Sequence, residues 1–162
     1  AWDKHFAPRN AVNLGISGDR TQHVLWRLEH GNIAGIKPKL AVIMIGTNNA
    51  GANTSEEIAD GVTAIVKKLR EELPATKILL LAIFPRGADS NDGARKVNEG
   101  ANAILAKLAD GKAIVFLDLA PKFLDADGRL SKEIMPDLLH LSPKGYALWA
   151  EGIEAEVARL ME

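Results

Sequence analysis

The chain has 162 residues, 47% of them hydrophobic and 25% charged, which fits one folded domain over residues 1–162 and excludes a disordered or fibrous chain. With a formal net charge of -1 and no run of Lys and Arg, neither nucleic acid nor an anionic membrane is an expected partner, and the expected ligands are small and weakly charged. The absence of Cys excludes disulfides and thiolate metal sites but leaves the compartment open, and no apolar stretch approaches the roughly 20 residues of a membrane span.

Ala1 to Asn10 shows neither a strand nor a helix pattern, and Ala1–His5 has no apolar signal-peptide core. From there, short apolar runs alternate with segments of helical period, the pattern of four βα units on a parallel sheet. Ala11 to Gly15 reads as the first strand. The helix after Asp19 carries Val24, Leu25 and Leu28 on one side, with Gly31 as its stop. Leu40 to Ile45 is apolar throughout, as in a strand buried on both faces. It runs into Gly46-Thr47-Asn48-Asn49, a polar loop at the carboxyl end, where ligands bind in open α/β sheets. Thr54 and Glu57 form a capping box, and Ile58, Val62, Ile65, Val66, Leu69 and Leu73 keep a 3.6-residue period until Pro74. Lys77 to Phe84 is the next buried strand, stopped at Pro85. A Gly/Asp/Asn-rich loop follows, then a helix marked by Val97, Ala101, Ile104, Leu105 and Leu108. Ala113 to Leu117 is the fourth strand, and Ser142 with Pro143 opens a last helix that ends near Met161.

Hydrolysis of an ester by a serine needs a base for the hydroxyl proton, an acid to orient that base, and donors aimed at the oxyanion. Asp137 and His140 stand three residues apart just ahead of the last helix. A single turn there brings the carboxylate to the imidazole Nδ1–H and leaves Nε2 facing outward. A capping or surface pair is the competing reading of the same spacing. Gly15-Ile16-Ser17-Gly18-Asp19 lies between a strand and its helix, where backbone N–H groups point at an anion, or where Asp19 simply caps the helix. It lacks the third glycine of the dinucleotide fingerprint, and no phosphate-loop Gly-Lys-Ser/Thr occurs, which counts against a nucleotide-binding domain. Gly46 to Asn49 offers a side-chain amide donor, or is a turn.

Taken in order, Asn-Leu-Gly-Ile-Ser-Gly-Asp-Arg-Thr (13–21), Gly-Thr-Asn-Asn (46–49) and Asp-Leu-Leu-His-Leu-Ser (137–142) resemble the second, third and fifth sequence blocks of the SGNH or GDSL hydrolase family. His23-Val24-Leu25-Trp26-Arg27-Leu28 and Phe84-Pro85-Arg86-Gly87 look like the platelet-activating-factor acetylhydrolase type within it. The resemblance runs from about Asn10 to the end. It implies a flavodoxin-like three-layer α/β/α sandwich with a parallel sheet and no metal or organic cofactor. By the same resemblance Asp137 and His140 complete a triad, while Gly18 supplies a backbone N–H and Asn48 a side-chain N–H to the oxyanion hole. The implied substrate is a small ester with a short acyl group, acetyl foremost, on a lipid or carbohydrate.

The chain departs from the family at one point: the Gly-Asp-Ser block that carries the nucleophile occurs nowhere between Ala1 and Glu162. Ser17 is a poor substitute, because it stands beside the expected oxyanion glycine. The expectation is therefore that the first, central strand and its serine belong to a separate N-terminal segment of the same protein. Without it two apolar strands have open edges, which favours association with that segment or with a second copy. The rival reading is a binding module that keeps the pocket without a nucleophile. Among the remaining residues, Trp26 reads as core or acyl pocket and Arg86 as a substrate contact or a solvated side chain. His5, His23 and His30 have no ligand-like companions, and Asp125 to Gly128 reads as a turn.

Overall fold

A computed structural model describes residues 1–162. Its sheet has three parallel strands, β1 (Leu40–Ile43), β2 (Lys77–Leu81) and β3 (Ile114–Leu117), in the order β1-β2-β3. Leu40 stands opposite Lys77, Ile43 opposite Leu80, and Leu81 opposite Leu117. The helices are α1 (Trp2–His5), α2 (Thr21–Glu29), α3 (Ser55–Glu72), α4 (Gly93–Leu105), α5 (Ala120–Phe123) and α6 (Pro143–Met161).

The central strand decides the layering. In β2 the alternation of side chains sends Ile78 and Leu80 into one core, with α2, α3 and α4, and Leu79 and Leu81 into a second, with Phe123 of α5 and Ala150, Ile153, Val157 and Leu160 of α6. An apolar run without a polar alternate is what a strand between two helical layers requires. The result is the expected three-layer α/β/α sandwich on a parallel sheet.

Helix ends follow the local chemistry of the sequence. Thr54 Oγ1 accepts the Glu57 N–H at 3.2 Å and Glu57 Oε2 accepts the Thr54 N–H at 3.0 Å, closing the capping box of α3. Ser142 Oγ accepts the Gly145 N–H at 3.1 Å ahead of Pro143, which starts α6. Leu80 is fully enclosed between α3 and the sheet. Leu80→Ala is expected to lower unfolding stability by about 2–5 kcal/mol, read as a shift in the urea midpoint at unchanged slope.

Four expectations change. Ala11 to Gly15 is not a strand, because a strand needs a ladder partner and none lies beside it. Its ties are local: the Ala11 N–H donates to Phe6 O, the Gly15 N–H to Asn13 Oδ1, and Arg27 Nη1 donates to Leu14 O at 2.8 Å. Three strands therefore stand where four were expected. Second, β1 pairs on one side only, so its predicted burial on both faces fails: Val42 is 40% and nearby Met44 39% exposed, and Val12, Leu14 and Ile16 are exposed as well. Third, Ala1 to Asn10 does carry structure, α1 and a 3-10 turn over Ala7–Arg9. Phe6 packs 5.3 Å from the Trp149 ring and Arg9 holds Glu154 with two hydrogen bonds, so distant residues of α6 stabilise a segment too short to be helical alone. Fourth, Asp19 does not cap α2. The N-cap is Arg20, whose N–H donates to His23 Nδ1, and Asp19 instead pairs with Arg27. No helix is long and apolar enough to cross a membrane.

Candidate active site

Asp137 and His140 sit on the loop between the buried Ile134-Met135 pair and the N-terminus of α6. Asp137 Oδ2 lies 2.6 Å from His140 Nδ1, while Oδ1 accepts the backbone N–H groups of Leu139 at 3.1 Å and His140 at 2.8 Å. The carboxylate is thus fixed by three groups of its own loop, and Nε2 of His140 has no partner. The pair is open to solvent, the His140 side chain being 75% and that of Asp137 55% exposed.

The loop holds this shape through Leu138, whose φ of 59° is left-handed, a conformation uncommon for a leucine. The Leu138 N–H donates to Met135 O and its carbonyl accepts the Gly87 N–H, both at 2.9 Å. The following turn is locked by Ser142, whose N–H donates to Ile134 O at 2.8 Å and whose hydroxyl donates to Glu133 O at 2.7 Å. Folding therefore presents Asp137 to His140 before any ligand arrives.

The hydrogen bond from the His140 ring, followed by the N–H groups of His140 and Leu139, lowers the Asp137 carboxyl from its ordinary value of 3.8 to about 2. A depressed carboxyl adds stability that is complete above the unfolded value and is lost as the pH falls through the folded one. The loop is expected to loosen between pH 4 and 2, with the Asp137 carboxyl carbon titrating at about 2 in a carbon-13 NMR series. An ordinary midpoint near 3.8 would contradict the hydrogen bonds to that group.

The two glycine-containing loops meet. Gly18 adopts φ +81°, which only glycine takes without strain, and its N–H has no backbone acceptor. Asn48 Nδ2 donates to Asp19 O at 2.9 Å, which sets the Asn48 amide beside the Asp19-Arg20 peptide, on the turn that carries Gly18, and leaves its second hydrogen available. Behind it the buried Asn49 accepts the Thr21 N–H at 3.1 Å and donates to Gln22 and Asn53 at 3.2 and 3.1 Å. That side chain ties the start of α2 to the 46–49 turn.

A third connection joins these loops to Asp137 and His140. Arg86 donates to Thr47 O at 3.1 Å, and the next residue, Gly87, donates to Leu138 O at 2.9 Å. Arg86 is thus bound to protein rather than solvated, and the Pro85-Gly87 turn bridges the Asn48 loop and the His140 loop. Trp26 is not a core residue: it is 59% exposed and stacks on His30 with ring centroids 4.1 Å apart. His5 faces Glu154 at 3.5 Å. Asp125 Oδ1 accepts the N–H groups of Asp127 and Arg129, which makes the predicted turn. None of the five serines is a hydrogen-bond partner of His140. Ser55 and Ser142 spend their hydroxyls on the carbonyls of Val97 and Glu133.

The sequence model of the GDSL-like Lipase/Acylhydrolase family matches residues 1–148. The chain belongs to that family. It is 41% identical over 161 residues to the platelet-activating factor acetylhydrolase IB subunit alpha1 of Pongo abelii, covering 99% of this chain and 69% of the subunit. It is 40% identical to the alpha2 subunit of Rattus norvegicus, covering 99% and 70%. Among solved structures, a GDSL-like lipase of Bacteroides thetaiotaomicron superposes with a TM-score of 0.75 at 18% identity, over 98% of this chain and 80% of that one. A carbohydrate esterase family 3 member from Talaromyces cellulolyticus gives 0.71 at 21%, over 91% and 70%. These two show that the fold is shared. Membership of the GDSL-like family makes the chain part of a group of acylhydrolases and esterases.

Proposed function

We propose that these residues are the base, the orienting acid and the oxyanion donors of a serine esterase that removes a short acyl group, acetyl foremost, from a lipid or carbohydrate ester. The observation that carries the reading is the 2.6 Å contact between Asp137 Oδ2 and His140 Nδ1, with Nε2 left unpartnered on a side chain that is 75% exposed. That is the arrangement in which an imidazole accepts a hydroxyl proton while a carboxylate stabilises the imidazolium. The names of the acetylhydrolase relatives support an acetyl preference.

In this reading a serine oxygen adds to the ester carbonyl as His140 Nε2 takes its proton. The carbonyl oxygen becomes an oxyanion held by the Gly18 N–H and the Asn48 amide. Collapse expels the alcohol, which receives the proton from His140, and leaves an acyl-serine. Water then repeats the sequence, releasing the carboxylic acid and restoring the serine hydroxyl. Residues 1–162 bring no serine to His140, so the nucleophile arrives on a strand that pairs with the open edge of β1. The exposed Val42 on β1 and Val12 and Leu14 on the unpaired segment support that placement.

Labelling by a fluorophosphonate, read by intact mass, tests this. In a polypeptide that includes the serine strand, one serine outside residues 1–162 takes the label, and His140→Ala abolishes labelling. Label on Ser17 or any other serine of these residues, or labelling that survives His140→Ala, overturns the assignment. The isolation of His140 from every serine favours a second reading for the chain by itself: a module that binds acyl esters without cleaving them. It predicts saturable binding of an ester with no release of acid.

A further inference from the structure

The turn that carries Gly18 has little of its own to hold it. Asn13 to Gly18 are all exposed, and outside the chain neighbours nothing stands within 4 Å of where a Gly18 side chain would lie. Its internal bonds are two, from the Gly15 N–H to Asn13 Oδ1 at 2.9 Å and from the Asp19 N–H to Ile16 O at 3.3 Å. A segment with neither packing nor a ladder keeps one shape only where groups from elsewhere offset the entropy of ordering it.

Arg27 supplies those groups. Helical side chains lean toward the N-terminus, and from the last turn of α2 the Arg27 side chain reaches back to the segment ahead of the helix. Its Nη2 donates to Asp19 Oδ2, and its Nη1 donates to Leu14 O at 2.8 Å and, more weakly, to Asn32 Oδ1 at 3.4 Å. One planar guanidinium thus grips the carbonyl before Gly15 and the carboxylate after Gly18, the two ends of the turn. The ion pair is mostly enclosed, the Arg27 side chain being 18% and that of Asp19 13% exposed. Arg27 Nε is buried without a partner, so the guanidinium is seated in protein, unlike the solvated surface pairs that contribute little. The same Asp19 accepts the Asn48 amide on its carbonyl at 2.9 Å. Asp19 therefore links Arg27 to Asn48, with Gly18 immediately before it.

We propose that Arg27 is the positioning residue of the oxyanion hole, setting the Gly18 N–H relative to the Asn48 amide through Asp19 and Leu14. This role rests on the esterase reading, in which Arg27 itself meets no reacting atom. A donor serves an oxyanion only within about 2.7–3.1 Å of the place where that oxygen forms, and a misplacement of about 1 Å costs about 10²-fold in rate. The Asn48 amide can adjust by rotating its own side chain. The Gly18 N–H moves only with its turn, and the turn is held at both ends by Arg27.

Two measurements test this. In the 162-residue chain, Arg27→Ala is expected to shift the Gly18 amide signal in proton–nitrogen correlation spectra and to speed its hydrogen exchange, while the His140 signals stay in place. In a polypeptide that carries the serine strand, the same substitution lowers kcat for a short-chain ester by about 10²-fold and leaves KM within about twofold. Arg27→Lys keeps the charge without the fork and loses about tenfold, the equivalent of one charged hydrogen bond; it carries the test if the alanine variant does not fold. Asp19→Asn added to Arg27→Ala costs no more than Arg27→Ala alone, because both act on one link. A Gly18 signal that stays put, kcat unchanged in both Arg27 variants, a loss confined to KM, or losses that multiply with Asp19→Asn each overturn the proposal. Turnover that is absent from the unaltered polypeptide, or that survives His140→Ala, sinks the esterase reading and this role with it; that failure is told apart by a Gly18 signal that still moves in Arg27→Ala.

Discussion

Replacing His140 by Ala in a polypeptide that carries the serine strand is expected to lower kcat for a short-chain ester by about 10⁶-fold, the scale seen when a triad histidine is removed. The side chain is 75% exposed and its ring hydrogen-bonds to Asp137 alone, so unfolding stability should move by less than about 0.5 kcal/mol. A large loss of activity at constant stability separates a catalytic base from a residue that merely holds the loop. Asp137→Asn gives the finer test. It keeps an oxygen for the N–H groups of Leu139 and His140, so the loop stays closed, but it no longer holds Nδ1 as the protonated nitrogen. The expected loss is about 10⁴-fold, with the change of tautomer visible in the nitrogen-15 shifts of the ring. If either variant retains activity within tenfold, the pair is a loop clamp.

The parts of this architecture that were legible in the sequence are those set by neighbouring residues. The capping box of α3, the Ser142-Pro143 start of α6 and the apolar run of β2 depend on spacings of three residues or on a single strand's own composition. Asp137 and His140 fall in the same class, since one turn brings them together. What sequence could not supply are contacts between distant segments. The Arg86 bond to Thr47 spans 39 residues, and the Gly87 bond to Leu138 joins two loops whose approach is set by packing of the sheet. No local signal marks Leu138 for left-handed backbone. A glycine there would have drawn attention, and a leucine does not.

The misread segments fail for the same reason from the other side. Ala11 to Gly15 has the composition of a strand, but composition does not make a ladder, and without a neighbour the segment settles for bonds to Phe6, Asn13 and Arg27. Ala1 to Asn10 lacks a periodic pattern, yet Arg9 reaches Glu154 across 145 residues and the segment orders on α6. In the open sheet edge the two effects meet. β1 has its own apolar composition and only one partner, which is why Val42 and Met44 face solvent.

Asn48→Ala is expected to reduce kcat by about 10²–10³-fold with little change in KM, the loss typical of one oxyanion-hole donor. The split follows from where the donor acts. The Asn48 amide already gives one hydrogen to Asp19 O at 2.9 Å, and the other meets full negative charge only as the tetrahedral intermediate forms, so the ground-state ester loses little. Asn48 is exposed and its removal leaves the fold intact, whereas its neighbour Asn49 is 3% exposed and satisfies the buried Thr21 N–H. Asn49→Ala should therefore lower stability by about 1–3 kcal/mol through that orphaned donor and reduce activity indirectly, by letting the 46–49 turn drift from α2. Measured together, the two variants separate a donor from its support: Asn48→Ala loses rate at constant stability, and Asn49→Ala loses both. An effect of Asn48→Ala confined to KM would make the amide a substrate-binding group and leave the Gly18 N–H as the remaining oxyanion donor.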